Sequence, residues 1–258
     1  MSNSHGRFVW YELMTTDTRA AKDFYGSVVG WGSEVASMPG MDYIIFTADT
    51  GQVGGLMTLP AEAKKMGAPP SWMGYVAVDD VDAATVRVKE LGGSVHMPPT
   101  DIPNVGRFAV VADPQKAAFV VFKSSNPQPG KRVDFGTPGG VGWHELFAID
   151  WEKAFAFYGA LFGWTKDQAM DMGEGVGMYQ LFAHDGRQIG GMFNKPAEVP
   201  ATFWVYYFVI GDIDAGVDRV TKGGGKILNG PMEVPGGMFI VQGLDPQGAM
   251  FALLGKRG

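Results

Sequence analysis

The chain has 258 residues, of which 46% are hydrophobic and 19% charged, a composition typical of a globular protein with a sizeable core. A formal net charge of −6, without Lys/Arg blocks, argues against nucleic acid or an anionic membrane as a main partner. Cysteine is absent, which excludes disulfides, thiol catalysis and cysteine-ligated metal centres. Neither a basic-then-apolar leader nor an apolar run of ~18 residues occurs, so we expect a soluble, cytoplasmic protein.

The stretch from Phe8 to Leu59 predicts a β-α-β-β-β unit. Residues 8–15 are rich in aromatic and β-branched types, which favour strands. Asp17 is suited to cap the following helix, and Gly30 is suited to end it. Three short strands follow, at about 31–37, 42–48 and 52–59, with a hairpin turn at Asp49–Gly51 between the last two.

The same pattern restarts after a predicted loop at residues 60–70. A strand at 72–78 precedes Asp80, which caps a helix that ends at Gly92. Strands follow near 94–97, 106–111 and 117–123, and Asp113-Pro114-Gln115 forms the turn between the last two. Residues 7–124 therefore contain two such units and form the first predicted domain.

A linker and a second copy of the whole arrangement complete the chain. Residues 125–140 are rich in proline and glycine and predict the linker. Asp17 and Gly30 recur as Asp150 and Gly163, both 133 residues later. A further set recurs at an offset of 132, in which Trp72, Asp80 and Asp113-Pro114-Gln115 become Trp204, Asp212 and Asp245-Pro246-Gln247. So regular an offset indicates a tandem duplication, and residues 141–256 form the second predicted domain.

Several repeated residues match the motifs of a known family. They are Asp17, Phe24-Tyr25, Asp80–Ala83 and Asp113-Pro114, and then Asp150, Phe157-Tyr158, Asp212–Ala215 and Asp245–Gly248. In this order they resemble the vicinal oxygen chelate superfamily of glyoxalase I, bleomycin-resistance proteins and extradiol dioxygenases, and in particular its tandem glyoxalase-like branch. The resemblance implies an α+β fold of tandem domains, each with two βαβββ units whose curved mixed sheet surrounds a cleft. In the enzymes of the superfamily, a divalent metal in that cleft chelates two substrate oxygens.

Other residue types occupy the positions that carry the metal ligands in the superfamily. The resemblance places these positions at Trp10, Met73 and Val120 in the first half, and at Trp143, Val205 and Ala252 in the second. A fourth position falls near 54–57 and 190–193, where no acid occurs. We therefore expect no metal at the usual site and no other cofactor, although a divalent metal held by Glu145 and other partners stays open.

The four histidines support the same expectation, because a two-His-one-carboxylate centre needs two of them in one cleft. His5 falls in a predicted loose tail, and His96 is the only other histidine of the first half. His184 precedes a turn and is expected to face water. His144 and Glu145 are adjacent on a strand and point to opposite faces, so they cannot chelate together. We expect a structural role for each histidine.

Strand alternation predicts which side chains line the two clefts. If the ligand positions face inward, the lining residues are Trp10, Glu12, Met14, Met73, Tyr75 and Val120, and then Trp143, Glu145, Phe147, Val205, Tyr207 and Ala252. Such an apolar, aromatic surface suits small, flat, mostly apolar ligands.

Glu12 and Glu145 are the candidate catalytic residues of these clefts. A carboxylate beside tryptophan in a poorly solvated cleft is expected to have a raised pKa, and it can act as a general base or orient a ligand donor. The alternative is that backbone N–H groups or a tyrosine across the sheet hold each glutamate, which then only braces the sheet.

Three functions remain open from the sequence. The first is a metal-dependent lyase or dioxygenase of the glyoxalase kind, acting on a small oxygenated substrate. The second is a metal-free protein of the bleomycin-resistance kind that binds a small, partly apolar molecule. The third is a structural or assembly module. The absence of the usual metal ligands favours the second function, the metal-free binding protein. Whether the protein catalyses a reaction stays open. The expected partner is a small molecule rather than nucleic acid or a membrane, and a homodimer stays open.

Overall fold

A computed structural model describes residues 4–38, 41–126, 136–174 and 177–258 of the chain. The elements of the first half are β1 (Phe8–Thr15), α1 (Thr18–Val29), β2 (Gly32–Met38), β3 (Met41–Ala48), β4 (Gly51–Thr58), α2 (Ala61–Lys65), β5 (Ser71–Ala77), α3 (Val81–Glu90), β6 (Ser94–Ile102), β7 (Gly106–Ala112) and β8 (Ala118–Ser124). Those of the second half are β9 (Val141–Ala148), α4 (Trp151–Phe162), β10 (Thr165–Asp171), β11 (Met178–His184), β12 (Arg187–Asn194), β13 (Phe203–Asp212), α5 (Ile213–Lys222), β14 (Lys226–Val234), β15 (Met238–Leu244) and β16 (Met250–Lys256).

The strands form two eight-stranded mixed sheets with the same topology. Their orders are β2-β3-β4-β1-β5-β8-β7-β6 and β10-β11-β12-β9-β13-β16-β15-β14. Each half therefore contains two β-α-β-β-β modules, and the predicted α+β class with tandem sheets is confirmed. None of the helices in the described ranges is long and apolar enough to cross a membrane.

Local sequence signals account for the helix ends. The four capping aspartates accept hydrogen bonds from the third helical residue, as predicted; they are Asp17, Asp80, Asp150 and Asp212. Gly30 and Gly163 end α1 and α4 in the left-handed conformation, with φ of 88° and 73°, which glycine adopts without steric cost.

Two differences from the predicted elements are small. The short helix α2 lies inside the predicted loop at 60–70, because its five residues are all good helix formers. Strand β6 continues to Ile102 instead of ending near Met97, because it keeps pairing with β7 beyond a register shift. Of the predicted linker, residues 127–135 lie outside the described part of the chain.

The chain forms two compact units, and each combines segments from both halves. The middle-segment unit contains residues 1–9, 73–131 and 144–204. The end-segment unit contains residues 10–72, 132–143 and 205–258. Each unit therefore joins one β-α-β-β-β module of the first half to one of the second.

A buried Trp–Tyr–Asp relay joins the two modules of the end-segment unit. Tyr25 on α1 donates a hydrogen bond to Asp245 Oδ2 at 3.2 Å and accepts one from Trp72 Nε1 at 2.8 Å. The other oxygen of Asp245 accepts from the backbone N–H groups of Gln247 and Ala249, which fixes the turn before β16. Burial raises the pKa of both Tyr25 and Asp245. The relay satisfies these polar groups in an aromatic core, where an unpaired group would be costly.

The same relay recurs in the middle-segment unit. Tyr158 on α4 donates to Asp113 Oδ2 at 3.1 Å and accepts from Trp204 Nε1 at 3.0 Å. Asp113 fixes its own turn through the N–H groups of Gln115 and Ala117. The Asp-Pro-Gln signature of the sequence therefore marks a turn and, in addition, a contact between modules that are far apart in the chain.

The N-terminal residues are packed against the middle-segment unit, so the prediction of a loose tail at His5 is wrong. We call residues 4–7 the N-terminal strap. Gly6 N–H donates to Ala77 O at 2.8 Å, and Trp164 Nε1 donates to Gly6 O at 2.7 Å. His184 Nε2 lies 2.7 Å from His5 O. The prediction that His184 faces water is also wrong, because the strap covers the ring and leaves 9% of the residue exposed.

An equivalent segment closes the end-segment unit, and we call residues 136–140 the linker strap. Gly139 N–H donates to Val209 O at 2.8 Å, and Trp31 Nε1 donates to Gly139 O at 2.7 Å. Gly139 lies 133 residues after Gly6, so the straps belong to the repeat. In both units a buried indole N–H is satisfied by a strap carbonyl.

Candidate functional site

The candidate site of the end-segment unit is built on strands β1, β4 and β3. Glu12 on β1 pairs in register with Gly55 on β4, and Tyr43 comes from β3 on the far side of that glycine. Tyr43 Oη donates a hydrogen bond to Glu12 Oε2 at 2.8 Å. Trp10 Nε1 in turn donates to Tyr43 Oη at 3.1 Å. These three side chains form a continuous donor chain that ends on the carboxylate.

Gly55 makes this contact sterically feasible. A Cβ atom at this position would overlap the Tyr43 hydroxyl, so only glycine lets the phenol cross β4 to reach Glu12. The neighbouring position 54 requires glycine for a different reason. A Cβ atom at Gly54 would lie 2.6 Å from the backbone carbonyl oxygen of Tyr11. The two glycines therefore serve close packing, one of a side chain and one of the backbone.

The middle-segment unit contains a second copy of the constellation. Tyr179 Oη on β11 donates to Glu145 Oε1 on β9 at 2.8 Å. Gly191 on β12 is the register partner of Glu145, and a Cβ there would overlap the Tyr179 ring. The repeated pattern is thus a glutamate on the first strand of a module, a tyrosine on the third and a glycine on the fourth.

The phenol of this constellation acts as a donor. Burial, together with the negative charge of Glu12, raises the pKa of Tyr43, so the hydroxyl stays protonated near neutral pH. Glu12 is 9% exposed and Glu145 6%, which places both carboxylates in poorly hydrated surroundings. A carboxylate offers about four lone-pair sites, so it can accept a hydrogen bond from a ligand as well as from a tyrosine.

The predicted site residues all lie on strands, and they differ in exposure. Trp10, Met14, Met73 and Trp143 keep partly exposed side chains, whereas Glu12, Tyr75, Val120, Glu145, Phe147, Val205, Tyr207 and Ala252 are buried. The structure pairs Tyr75 with Val120 in the middle-segment unit, and Tyr207 with Ala252 in the end-segment unit. The assignment of these residues to a ligand cleft stays a prediction.

Sequence reasoning missed Tyr43, Tyr179 and Gln242. Gln242 Nε2 donates to Tyr207 Oη at 2.8 Å, whereas the equivalent position of the first half is Val110. The sequence does contain a signal for Gln242, because it is the one amide side chain in an otherwise apolar strand. The two tyrosines had no comparable signal, because the alternation of a strand does not show which residue of another strand its side chains meet.

The residues at the superfamily's ligand positions do not fit a divalent metal. Trp10, Met73 and Val120 offer an indole, a thioether and an alkyl group in place of carboxylate or imidazole donors. Among the described residues, no three His, Asp or Glu side chains lie together as a metal-binding group would. The side chains at the ligand positions therefore supply none of the usual ligands of a divalent metal.

His144 lies apart from Glu145, as strand alternation predicts. Its ring stacks on Phe8 with centroids 4.0 Å apart, and its Nδ1 lies 2.6 Å from Ile189 O. Burial lowers the pKa of His144 to about 4, so the ring is neutral at physiological pH.

The paired β-α-β-β-β modules and the mixed eight-stranded sheets are those of a glyoxalase-like class of protein. The family model of the glyoxalase/bleomycin resistance protein/dioxygenase superfamily matches residues 7–121 and again residues 140–253. The chain belongs to this superfamily.

Curated relatives of similar length support the assignment. CFP32 of Mycobacterium tuberculosis, provisionally named a glyoxylase, is 35% identical over 248 residues that cover 95% of this chain and 93% of the relative. The anthracycline biosynthesis protein DauV of a Streptomyces species is 33% identical over 263 residues, which cover 98% of this chain and 94% of the relative.

Solved structures show the same fold at low identity. The Mn(II)-bound glyoxalase of Novosphingobium aromaticivorans is 18% identical with a TM-score of 0.63, and the match covers 99% of this chain and 83% of that one. The 2,2',3-trihydroxybiphenyl 1,2-dioxygenase of Sphingomonas wittichii is 13% identical with a TM-score of 0.67, covering 98% of this chain and 90% of that one.

Proposed function

We propose that the protein binds a small, flat, partly apolar molecule through its Glu–Tyr pairs, in the manner of the bleomycin-resistance branch and without the superfamily's usual metal. The main support for this proposal is the hydrogen bond from Tyr43 to Glu12, which is 2.8 Å long. The hydrogen bond from Tyr179 to Glu145 has the same length. The pair occurs in both halves, and in each a glycine on the intervening strand leaves room for the phenol, so the arrangement belongs to the duplicated module.

The chemistry of the pair indicates the kind of ligand. Tyr43 directs its proton to Glu12, so a further group that approaches the carboxylate has to be a donor. Trp10 stands beside the pair and offers an aromatic face to a planar ring. The ligand is therefore a flat aromatic molecule with at least one hydroxyl group that donates to the glutamate.

The names of two relatives favour the same ligand class. DauV and DnrV are both named for anthracycline biosynthesis and both match 98% of this chain. Anthracyclines are flat, hydroxylated polycyclic compounds. A carboxylate acceptor beside an indole is complementary to such a compound.

The test compares two probes that differ in one proton. 2-Naphthol donates a hydrogen bond and 2-methoxynaphthalene does not, and both can be titrated by fluorescence. We expect tighter binding of 2-naphthol, and a loss of roughly tenfold to a hundredfold in affinity in a Glu12→Gln/Glu145→Gln variant, as for one hydrogen bond to a charged group. Glu34→Gln, an exposed change in the end-segment unit, serves as the control.

Three outcomes would count against the proposal. Unchanged 2-naphthol binding in the double variant would show that the glutamates only brace the sheets. Stoichiometric Mn, Fe, Ni or Zn in the purified protein would favour the metal-dependent lyase or dioxygenase instead. Absence of binding to 2-naphthol and to 1,8-dihydroxyanthraquinone would favour a structural module.

A further inference from the structure

An open cavity of about 490 Å³ lies in the end-segment unit, among residues that the Glu–Tyr site does not use. It is lined by Gly136, Pro138, Ile210, Gly211, Gly236, Met238 and Lys256. Its volume is within the range of small-molecule pockets. The linker strap contributes Gly136 and Pro138, and the end of β13 contributes Ile210 and Gly211.

The middle-segment unit has two larger residues at positions equivalent to two of the lining residues. The repeat aligns Pro138 with His5, and Gly211 with Asp79. His5 Nδ1 accepts a hydrogen bond from Asp79 N at 3.3 Å and lies 3.7 Å from Asp79 Oδ2. The second copy has a proline and a glycine at these two positions, and both line the cavity.

Gly211 lies at a register shift of β13, because its pairing with β16 is interrupted between Val209 and Asp212. Its φ is not in the left-handed region, unlike that of Gly236, whose equivalent Asn104 is also left-handed with φ of 61°. A Cβ atom at Gly211 would meet nothing within 4 Å. Glycine inside a strand often marks a bulge or the close approach of a ligand. At Gly211 the bulge accounts for the glycine, and the absence of a side chain leaves open space beside the cavity.

The lining of the cavity combines apolar residues with a single cation. Ile210 and Met238, which are 4% and 8% exposed, are the large apolar residues of the lining. Lys256 stands where the first half has Ser124, and across the described ranges no hydrogen bond or ion pair involves its ammonium group. The adjacent Arg257 is instead engaged with Asp214 at 2.8 Å. An anionic group in the cavity would therefore meet Lys256 without competing with an existing pair.

We propose that this cavity is a second binding site, for a small monocarboxylate with an apolar tail. The carboxylate lies against the ammonium of Lys256, and the tail passes Gly211 and covers Ile210 and Met238. This site shares no lining residue with the Glu–Tyr pairs. The two binding proposals can therefore be tested separately, and the failure of one does not affect the other.

Octanoate is the probe for the test, with 1-octanol as its uncharged counterpart. Binding is followed by calorimetry and by the ¹³C shift of the Met238 methyl group on the full chain. We expect octanoate to shift the Met238 signal and to bind roughly tenfold more tightly than 1-octanol, as for one charge-assisted contact. Lys256→Ser introduces the residue type found at the equivalent position of the first half, and we expect it to abolish the preference for octanoate over 1-octanol. Lys226→Ser on β14 is the control and is expected to leave this preference unchanged.

Gly211→Val fills the cavity without strain, because the position has space and an ordinary φ. We expect it to weaken octanoate binding at least roughly tenfold while 2-naphthol binding stays unchanged. The proposal is overturned if octanoate leaves the Met238 signal in place, or if binding persists in both Lys256→Ser and Gly211→Val. Loss of 2-naphthol binding in Glu12→Gln/Glu145→Gln concerns the other site alone.

Discussion

Tyr43 donates a 2.8 Å hydrogen bond to Glu12 across the bare backbone of Gly55. The two residues are 31 positions apart and lie on strands that are separated by a third strand. The same relation between Tyr179 and Glu145 crosses Gly191, so the constellation belongs to the duplicated module. Gly55 and Gly191 are thus part of the candidate site, because each leaves the space through which a tyrosine reaches its glutamate.

The first prediction concerns Gly55. Gly55→Ala places a methyl group where the Tyr43 hydroxyl stands, so the phenol has to leave Glu12. We expect a destabilisation of about 1–3 kcal/mol, in the range of overpacking in a core, measured by urea unfolding. In a Tyr43→Ser background the same change is expected to cost much less, because the obstructing ring is gone.

Gly54→Ala is the matched control for this cycle. Its Cβ would lie 2.6 Å from the Tyr11 carbonyl oxygen, and no change of the Tyr43 side chain relieves contact with that backbone atom. We therefore expect its cost to persist in the Tyr43→Ser background. Equal rescue of both alanine variants would contradict the role assigned to Gly55.

The second prediction concerns the relay at Tyr25. Tyr25→Phe removes the donor to Asp245 and the acceptor for Trp72 at once, and leaves both groups buried. An unsatisfied buried group costs about 1–3 kcal/mol, so we expect a loss of stability of at least that size. Hydrogen exchange would show the loss of protection mainly in the end-segment unit.

Tyr158→Phe supplies the reciprocal measurement. It breaks the equivalent relay with Asp113 and Trp204, and is expected to lower protection mainly in the middle-segment unit. Identical exchange patterns for the two variants would show that the two relays do not act separately.

The third prediction is a pH dependence of stability that arises from His144. Its pKa is lowered by burial to about 4, against about 6.5 in an unfolded chain. The folded state therefore binds fewer protons than the unfolded state between these values, and stability is lost as pH falls from about 6.5 towards 4. The shift corresponds to about 3 kcal/mol, which urea midpoints at pH 7 and pH 4 would detect.

His144→Gln removes the titrating group and is expected to flatten the pH dependence over this range. His96→Gln is the matched control, because His96 is exposed in the described structure and its replacement leaves the buried ring unchanged. The same steep loss of stability in both variants would assign it to other groups.

The fourth prediction concerns the two straps. Gly6 has φ of +83°, and a Cβ there would lie 2.5 Å from Phe162 O, so Gly6→Ala is expected to displace the N-terminal strap. Trp164 then loses its carbonyl acceptor, and we expect destabilisation of more than about 1 kcal/mol with faster hydrogen exchange in the middle-segment unit.

Gly139→Ala is the counterpart in the linker strap. It has φ of +79° and its Cβ would meet the Ala48 side chain at 2.7 Å, so we expect the exchange effect in the end-segment unit. Unchanged hydrogen-exchange protection around Trp164 in Gly6→Ala would show that the N-terminal strap does not stabilise the middle-segment unit.

Signals that are local in the chain predicted most of the elements. Asp17 and Gly30 delimit α1 because a side-chain cap and a left-handed glycine act within a few residues. His184 shows where such signals fail, since a turn after a strand indicates exposure, yet the N-terminal strap covers the ring. Tyr43 shows the same limit for the site, because its partner is set by sheet order.

The sequence by itself predicted the duplicated β-α-β-β-β modules and their capped helices, and its repeated motifs indicated the family by resemblance. Glu12 and Glu145 are its candidates for the cleft, and their role stays a prediction. The modules and caps follow from periodicity, capping residues and spacing, which depend on neighbours along the chain. Only the tertiary structure decided that modules of different halves combine in each unit, as the bond from Tyr25 to Asp245 over 220 residues shows. It also decided which phenol meets each glutamate. The physical reason is that burial selects partners by shape and hydrogen-bond satisfaction across elements, and no short stretch of sequence encodes that choice.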